Sequence, residues 1–301
     1  MKTQSFVRFF LVAVAAISFT ATASAEVKLL NMSCRGTVCK GENCFIGGFT
    51  VLEDGHQMLI RAVGPSLQMF GVVNCCTDPI LTLYKGQEVI ASNDDWAADA
   101  GIQSASKKMG AFALADDSKD AAILITLDAG SYTGVITSDD EIPGIALFEV
   151  YDLNSSPNGL YNLSVRGMVL PGEGAMIPGI VITGNGLASF LIRAVGPGLN
   201  QFGITNYLVD PQLTFSLTND TNFTQHKNDD WQPTFSNYYF GRWGAFPLPL
   251  GSKDAALLFQ SSYTGFSKGT AEYTTVVESA DPNVGSSGVV LVEVYFVSRT
   301  F

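Results

Sequence analysis

Beyond Val27 the chain is a succession of short runs in which apolar and polar residues take turns. Phe45-Ile46-Gly47-Gly48-Phe49-Thr50-Val51 is one such run. Leu81 and Leu83, separated by Thr82, belong to another, and Leu213, Phe215 and Leu217 to a third. A period of two puts successive side chains on opposite faces of an extended backbone, so each run predicts a strand with one face inward. Between the runs fall Gly, Pro, Asn and Asp, the residues that turn a chain. No stretch keeps a helical period with caps at both ends. Only Asp99–Lys108 has the makings of one or two helical turns. The pattern predicts an all-β fold of the sandwich kind.

The runs come twice. Leu59-Ile60-Arg61-Ala62-Val63-Gly64-Pro65 returns letter for letter as Leu191-Ile192-Arg193-Ala194-Val195-Gly196-Pro197. Around it, in the same order, Asn31-Met32-Ser33 answers Asn162-Leu163-Ser164, and Asp78-Pro79 answers Asp210-Pro211. Asn93-Asp94-Asp95-Trp96 answers Asn228-Asp229-Asp230-Trp231. Lys119-Asp120-Ala121-Ala122 answers Lys253-Asp254-Ala255-Ala256, and Glu149-Val150-Tyr151 answers Glu293-Val294-Tyr295. An internal duplication follows, and with it two tandem β-sandwich (jelly-roll-like) domains at 27–153 and 159–301. The polar stretch 154–158 is the linker between them. The second copy is longer around Phe266 to Ser287, which predicts a longer hairpin or loop there.

This motif set resembles a repeated, functionally uncharacterised β-sandwich domain of secreted bacterial proteins, loosely similar to the pre-peptidase C-terminal modules appended to secreted enzymes. The resemblance covers nearly all of the chain after residue 26. It implies secretion and a sandwich fold, and it transfers no active site.

The N-terminus agrees with secretion. Lys2 and Arg8 precede the apolar run Phe9–Ile17, and Ala23-Ser24-Ala25 has the small-x-small form of a cleavage site. Residues 1–25 therefore read as a signal peptide, with an apolar run too short to span a bilayer. Its removal takes Lys2 and Arg8 away and moves the formal charge from −11 to −13. An acidic chain without clustered Lys or Arg excludes a nucleic-acid partner. No later run is long enough to span a membrane. The expected place is outside the cell or in the periplasm. About 275 residues rich in Val, Ile, Leu and Phe suffice to bury two cores.

Four groups of residues are candidates for chemistry. Arg61 shares a strand face with Leu59 and Val63, and Arg193 with Leu191 and Val195. A half-buried guanidinium needs a carboxylate, because an unpaired buried charge is costly. Asp78/Asp210, Asp94/Asp229, Asp95/Asp230, Asp120/Asp254 and Glu149/Glu293 are on offer in both copies, and a structural ion pair drawing on Asp94, Asp229, Glu149 or Glu293 is the expectation. The alternative is an anion-binding arginine. Second, Asn93, Asp94, Asp95 and Asp120, with Asn228, Asp229, Asp230 and Asp254, supply the oxygen donors calcium takes. The alternative is a turn in which Asn and Asp bond their own backbone above a packed Trp. No other cofactor is indicated.

Third, all five cysteines, Cys34, Cys39, Cys44, Cys75 and Cys76, lie in the first copy. In a secreted chain they predict at least one disulfide from the Cys34–Cys44 segment to Cys75 or Cys76, with one thiol left over. Their spacings fit no zinc or iron–sulfur pattern. Fourth, the second copy has an aromatic stretch where the first is polar: Tyr238, Tyr239, Phe240, Arg242 and Trp243 form a candidate binding surface if exposed, or a cover over the core if not.

The sequence has no Gly-x-Ser-x-Gly, no His-Glu-x-x-His and no phosphate-binding Gly-x-x-x-x-Gly-Lys. The reading is a non-enzymatic structural or adhesive component of the cell surface or extracellular matrix, binding itself or other surface proteins. One rival is a carbohydrate-binding protein that meets polysaccharide through the aromatic stretch. Another is a hydrolase with acidic catalytic residues.

Overall fold

The computed structural model describes residues 27–38, 45–138, 142–218, 223–232, 237–263, 269–281 and 286–296. The signal-peptide segment, Cys39 and Cys44 lie outside them. The fold is all-β, as the alternation predicts, and every strand pairing is antiparallel.

One sheet starts at β6 (Ala121–Leu127) and runs through β3 (His56–Val63), β8 (Gly144–Asp152) and β1 (Lys28–Val38). It then continues into the second copy through β10 (Ile177–Thr183), β15 (Thr270–Ser279), β12 (Pro211–Leu217) and β13 (His226–Asn228). The other sheet starts in the second copy with β14 (Ala255–Tyr263), β11 (Gly186–Val195), β16 (Gly288–Phe296) and β9 (Leu160–Val169). It continues into the first copy through β2 (Phe45–Val51), β7 (Gly130–Ser138), β4 (Pro79–Lys85) and β5 (Glu88–Asn93). Among the described residues a single residue pair, Thr37 with Met168, joins the two.

This corrects the expected organisation. The division at 154–158 does fall between β8 and β9, but the copies are not two self-contained sandwiches. Each sheet is drawn from both copies. Asn31 of β1 faces Val181 of β10, and its counterpart Asn162 of β9 faces Thr50 of β2. Thr37 and Met168 are themselves counterparts, so the pair they form lies on a pseudo-twofold axis. The physical reason is that β1 and β9 each have two hydrogen-bonding edges. One edge is taken by the strand that ends their own copy, and the other copy takes the second.

The two sheets close on one core that runs through both copies. Met32, Ile60, Phe148, Ile180 and Phe215 face it from the first sheet, and Phe45, Phe49, Leu163, Phe190 and Val292 from the second. Phe148 fills the space where Gly47 and Gly134 have no side chain, since a Cβ on either would lie under 3 Å from its ring. Alternate residues of β3 face the other way. Leu59 and Val63 join a satellite core with Trp96, Ile102, Met109, Phe112 and Tyr151, while Leu191 and Val195 join one with Trp231, Phe240, Leu248 and Tyr295.

A helix covers each satellite. α1 (Ala100–Met109) is the segment the sequence marks as helical. The Asp99 side chain accepts the Ile102 N–H at 2.8 Å, and Gly110 ends the helix at φ 72°. α2 (Asn237–Arg242) stands in the same place in the second copy. The extra length of that copy goes in part into β14, which has 9 residues against 7 in its counterpart β6. Among the described residues no helix is long and apolar enough to cross a membrane.

Candidate functional site

The repeated motifs converge on the satellite cores. Arg61 is wholly buried, and β3 lies beside β8 so that Arg61 is directly opposite Glu149. Arg61 Nε donates to Glu149 Oε2 at 2.8 Å and Nη2 donates to the same oxygen. Arg61 Nη1 donates to the Phe112 carbonyl at 2.8 Å, and the Phe112 ring covers the guanidinium at 4.5 Å. The other carboxylate oxygen of Glu149 accepts the Tyr151 hydroxyl at 2.7 Å. Burial alone lowers the guanidinium's pKa, but the Glu149 carboxylate and the hydrogen bonds it accepts leave Arg61 above its ordinary value.

Arg193 repeats this against Glu293, Tyr295 and the Phe246 carbonyl, less tightly. Its Nε lies 3.1 Å from Glu293 Oε2, off the line of a hydrogen bond, and its Nη2 has no hydrogen-bond partner. Nη1 still donates to Phe246 O at 2.7 Å. Phe240 and Phe246 cover the guanidinium at 4.8 and 4.5 Å. Burial pushes the Glu293 carboxyl up, and Arg193 and the Tyr295 hydroxyl only partly oppose it. The ion-pair expectation therefore holds for Glu149 and Glu293. It is corrected for Asp94 and Asp229, which are exposed.

Asp120 and Asp254 have a role the sequence analysis missed. Both are wholly buried. Asp120 Oδ1 accepts the Gly64 N–H at 2.7 Å and the Ser66 N–H at 3.3 Å, and Oδ2 accepts the hydroxyls of Ser66 and Ser118. Asp254 takes Gly196 and Gly198 N–H groups and the Ser252 hydroxyl in the same way. Each carboxylate thus anchors the turn after the arginine strand, and the bonds it accepts replace water. Gly64 is required there, since a Cβ would lie 2.1 Å from the Cys76 carbonyl oxygen; at Gly196 it would lie 2.0 Å from that of Leu208. The signal was the joint repetition of Gly-Pro and Lys-Asp-Ala-Ala.

The Asn-Asp-Asp-Trp segment is a turn. Asn93 Nδ2 donates to the Asp95 carbonyl at 2.9 Å and Asn93 Oδ1 accepts the Ala122 N–H at 2.8 Å. Trp96 packs beneath, its Nε1 donating to Ala115 O at 2.9 Å. Asn228 repeats both bonds. Of the calcium donors suggested by sequence, Asp120 and Asp254 are taken up in the buried anchors. Asp94 and Asp95 instead meet Asp78, with carboxylate oxygens within 4.8 Å of one another. A cation is already at hand: Lys119 Nζ lies 2.9 Å from Asp95 Oδ2 and 3.9 Å from Asp78 Oδ2. Lys253 stands likewise at 3.0 Å from Asp230 and 3.9 Å from Asp210. Each ammonium offsets one of the negative charges gathered there.

Cys34 is buried in the common core and Cys75 in the satellite; both are free thiols, so the expected disulfide does not form through either. Cys34 points into apolar surroundings, where burial pushes its thiol far up. Cys76 is buried too, its N–H donating to Ile145 O at 2.8 Å. The aromatic stretch divides between its two readings. Phe240 is wholly buried over Arg193, and Trp243 is half-buried against the same satellite core. Arg242 is exposed, and the side chains of Tyr238 and Tyr239 lie outside the described residues. Of the two readings, cover over the core is the one that describes Phe240.

No family model matches the chain, and no curated protein does. Among solved structures, PNGF-II is 12% identical at a TM-score of 0.22, over 92% of this chain and 59% of its own. The Cry4Aa toxin of Bacillus thuringiensis is 8% identical at 0.20, over 92% and 54%. A DUF4785 family protein of Legionella pneumophila is 10% identical at 0.22, over 95% and 90%. The chain thus spans under two thirds of the length of the first two. At such TM-scores none of them bears on what this chain does.

The satellites make one pH prediction. Burial first, then the carboxylate of Glu149, holds the Tyr151 proton well above its ordinary range; burial and Glu293 do the same for Tyr295. In the unfolded chain both ionise near pH ~10. The folded state keeps both protons there, so this stability is full below about pH 10 and falls above it, by about 1.4 kcal/mol per pH unit per tyrosine. Urea unfolding between about pH 9 and 11 should give a steep decline for the parent and a shallower one for Tyr151→Phe/Tyr295→Phe. Equal slopes would refute the assignment.

Proposed function

We propose that this chain is a secreted, non-enzymatic structural or adhesive component of the cell surface or extracellular matrix, working by contact with itself or with other surface proteins. The observation that supports it most is the shared architecture. Each sheet takes strands from both copies, so neither copy can leave without opening two ladders. The repeated charged residues fit this reading, because they serve the frame itself. Arg61 and Glu149 hold a strand to its neighbour, and Asp120 and Asp254 hold the turns. The N-terminal segment and the resemblance to secreted repeat domains support the location.

The hydrolase and lectin readings are less well supported. The groove beside Glu149 and Tyr151, also lined by Asn31, Ser33, Glu272 and Thr274, measures about 60 Å³. Glu149 there is already held by Arg61 and by the Tyr151 hydroxyl. Phe240, one of the aromatics offered for sugar stacking, is in the core. Electron microscopy and sedimentation of the purified protein from residue 26 onward test the proposal: assemblies larger than a monomer are expected. A strictly monomeric protein that is retained on a polysaccharide column would replace it with the carbohydrate-binding reading.

A further inference from the structure

The contacts between the copies hold a feature that a single polypeptide does not need. They are isologous: β1 on β10 and β9 on β2 are the same ladder made twice, around the Thr37–Met168 pair. Isologous contact is the geometry by which two identical chains associate. The covalent link between the copies is the one crossing at 153–159, from the end of β8 to the start of β9.

That crossing is strained. Ser155 sits at φ 49°, a left-handed conformation that favours glycine. Asp152, at the end of β8, is wholly buried, and its Oδ2 has no hydrogen-bond partner. Its Oδ1 lies 3.1 Å from His56 Nδ1 and accepts the Asn154 N–H at 3.0 Å, which folds the crossing back over the carboxylate. Gly159 packs closely over the same group, and only its missing side chain leaves room, since a Cβ there would lie 1.7 Å from Asp152 Oδ2. The second copy has Ala188 and Phe296 in place of His56 and Asp152, so this arrangement belongs to the crossing and not to the repeat.

We propose that two molecules of this chain exchange copies through the crossing. Residues 27–152 of one molecule then pair with 160–296 of another, in the registers seen within one chain. Exchange remakes every ladder and changes only 153–159, where it releases the left-handed Ser155 and uncovers the unpartnered Asp152 oxygen. Reciprocal exchange closes a dimer; unreciprocated exchange leaves a free copy at each end and extends a chain of molecules. The inference rests on the proposed function only for its biological use, as the means of self-assembly.

The test uses the whole protein. The parent is annealed over a range of concentrations near its melting midpoint, cooled, and weighed by light scattering after gel filtration. A dimer, with larger species at higher concentration, is expected. Ser155→Gly accepts the left-handed conformation without strain and should lower the yield severalfold. Insertion of about eight Gly and Ser residues after Ser156 should favour closure within one chain and leave monomer. A parent that returns wholly to monomer overturns the proposal, as does an oligomer whose yield ignores both changes. Electron microscopy of unannealed protein reads the function separately. Assemblies there, with no dependence on the crossing, leave the structural reading in place and discard exchange.

Discussion

Residues 27–153 produced alone are expected to yield no folded monomer. Cut after 153, the first copy loses β9 from beside β2 and β10 from beside β1. Two interior strands become edges, and Phe45, Phe49 and Met32 lose neighbours such as Leu163, Val165 and Ile180 across the common core. Removing even one such apolar side chain costs about 2–5 kcal/mol, and a domain's whole stability is about 5–15 kcal/mol. The fragment should therefore either remain unfolded or pair with a second copy of itself, β1 of each against β2 of the other. Gel filtration with light scattering and circular dichroism decides. A monomeric fragment with a cooperative unfolding transition would show that the copies are independent after all.

The second large effect is expected at the buried ion pair. Arg61→Met leaves the Glu149 carboxylate in a site that is 1% exposed, with only the Tyr151 hydroxyl beside it. Breaking such a pair from one side costs about 3–5 kcal/mol. Adding Glu149→Gln to Arg61→Met should restore a large part of the loss, because most of the cost is the uncompensated charge. Arg193→Met should cost less, since Arg193 meets Glu293 off-line and leaves one nitrogen unpartnered. Urea midpoints of the single and double variants measure all three. If the double variant is no better than Arg61→Met alone, the carboxylate was not what made the loss large.

Strands, turns and the place of α1 could be read from the sequence because each depends on neighbours in the chain. Alternation placed Arg61 with Leu59 and Val63 on one face, and that face is where it lies. Which carboxylate it meets depends on the register between β3 and β8, and alternation gives a face but no partner. The exchange of sheet edges was illegible for a sharper reason. β2 and β10 carry matching patterns, so nothing in alternation tells β1 which of them to pair with. The aromatic stretch left two readings open, because Phe and Tyr are indifferent helix formers and composition alone does not tell exposure from cover. Phe240 lies in the satellite core with its ring over the buried Arg193, a contact between residues distant in the chain.

One consequence of the pairing concerns force. The first and last strands of the fold, β1 and β16, are both interior: β1 lies between β8 and β10, and β16 between β11 and β9. Tension entering at Lys28 or Phe296 pulls along a strand gripped on both sides. Such a strand is held by backbone hydrogen bonds on both edges, where an edge strand has them on one. Resistance to such a pull is set by the unfolding barrier rather than by the equilibrium stability.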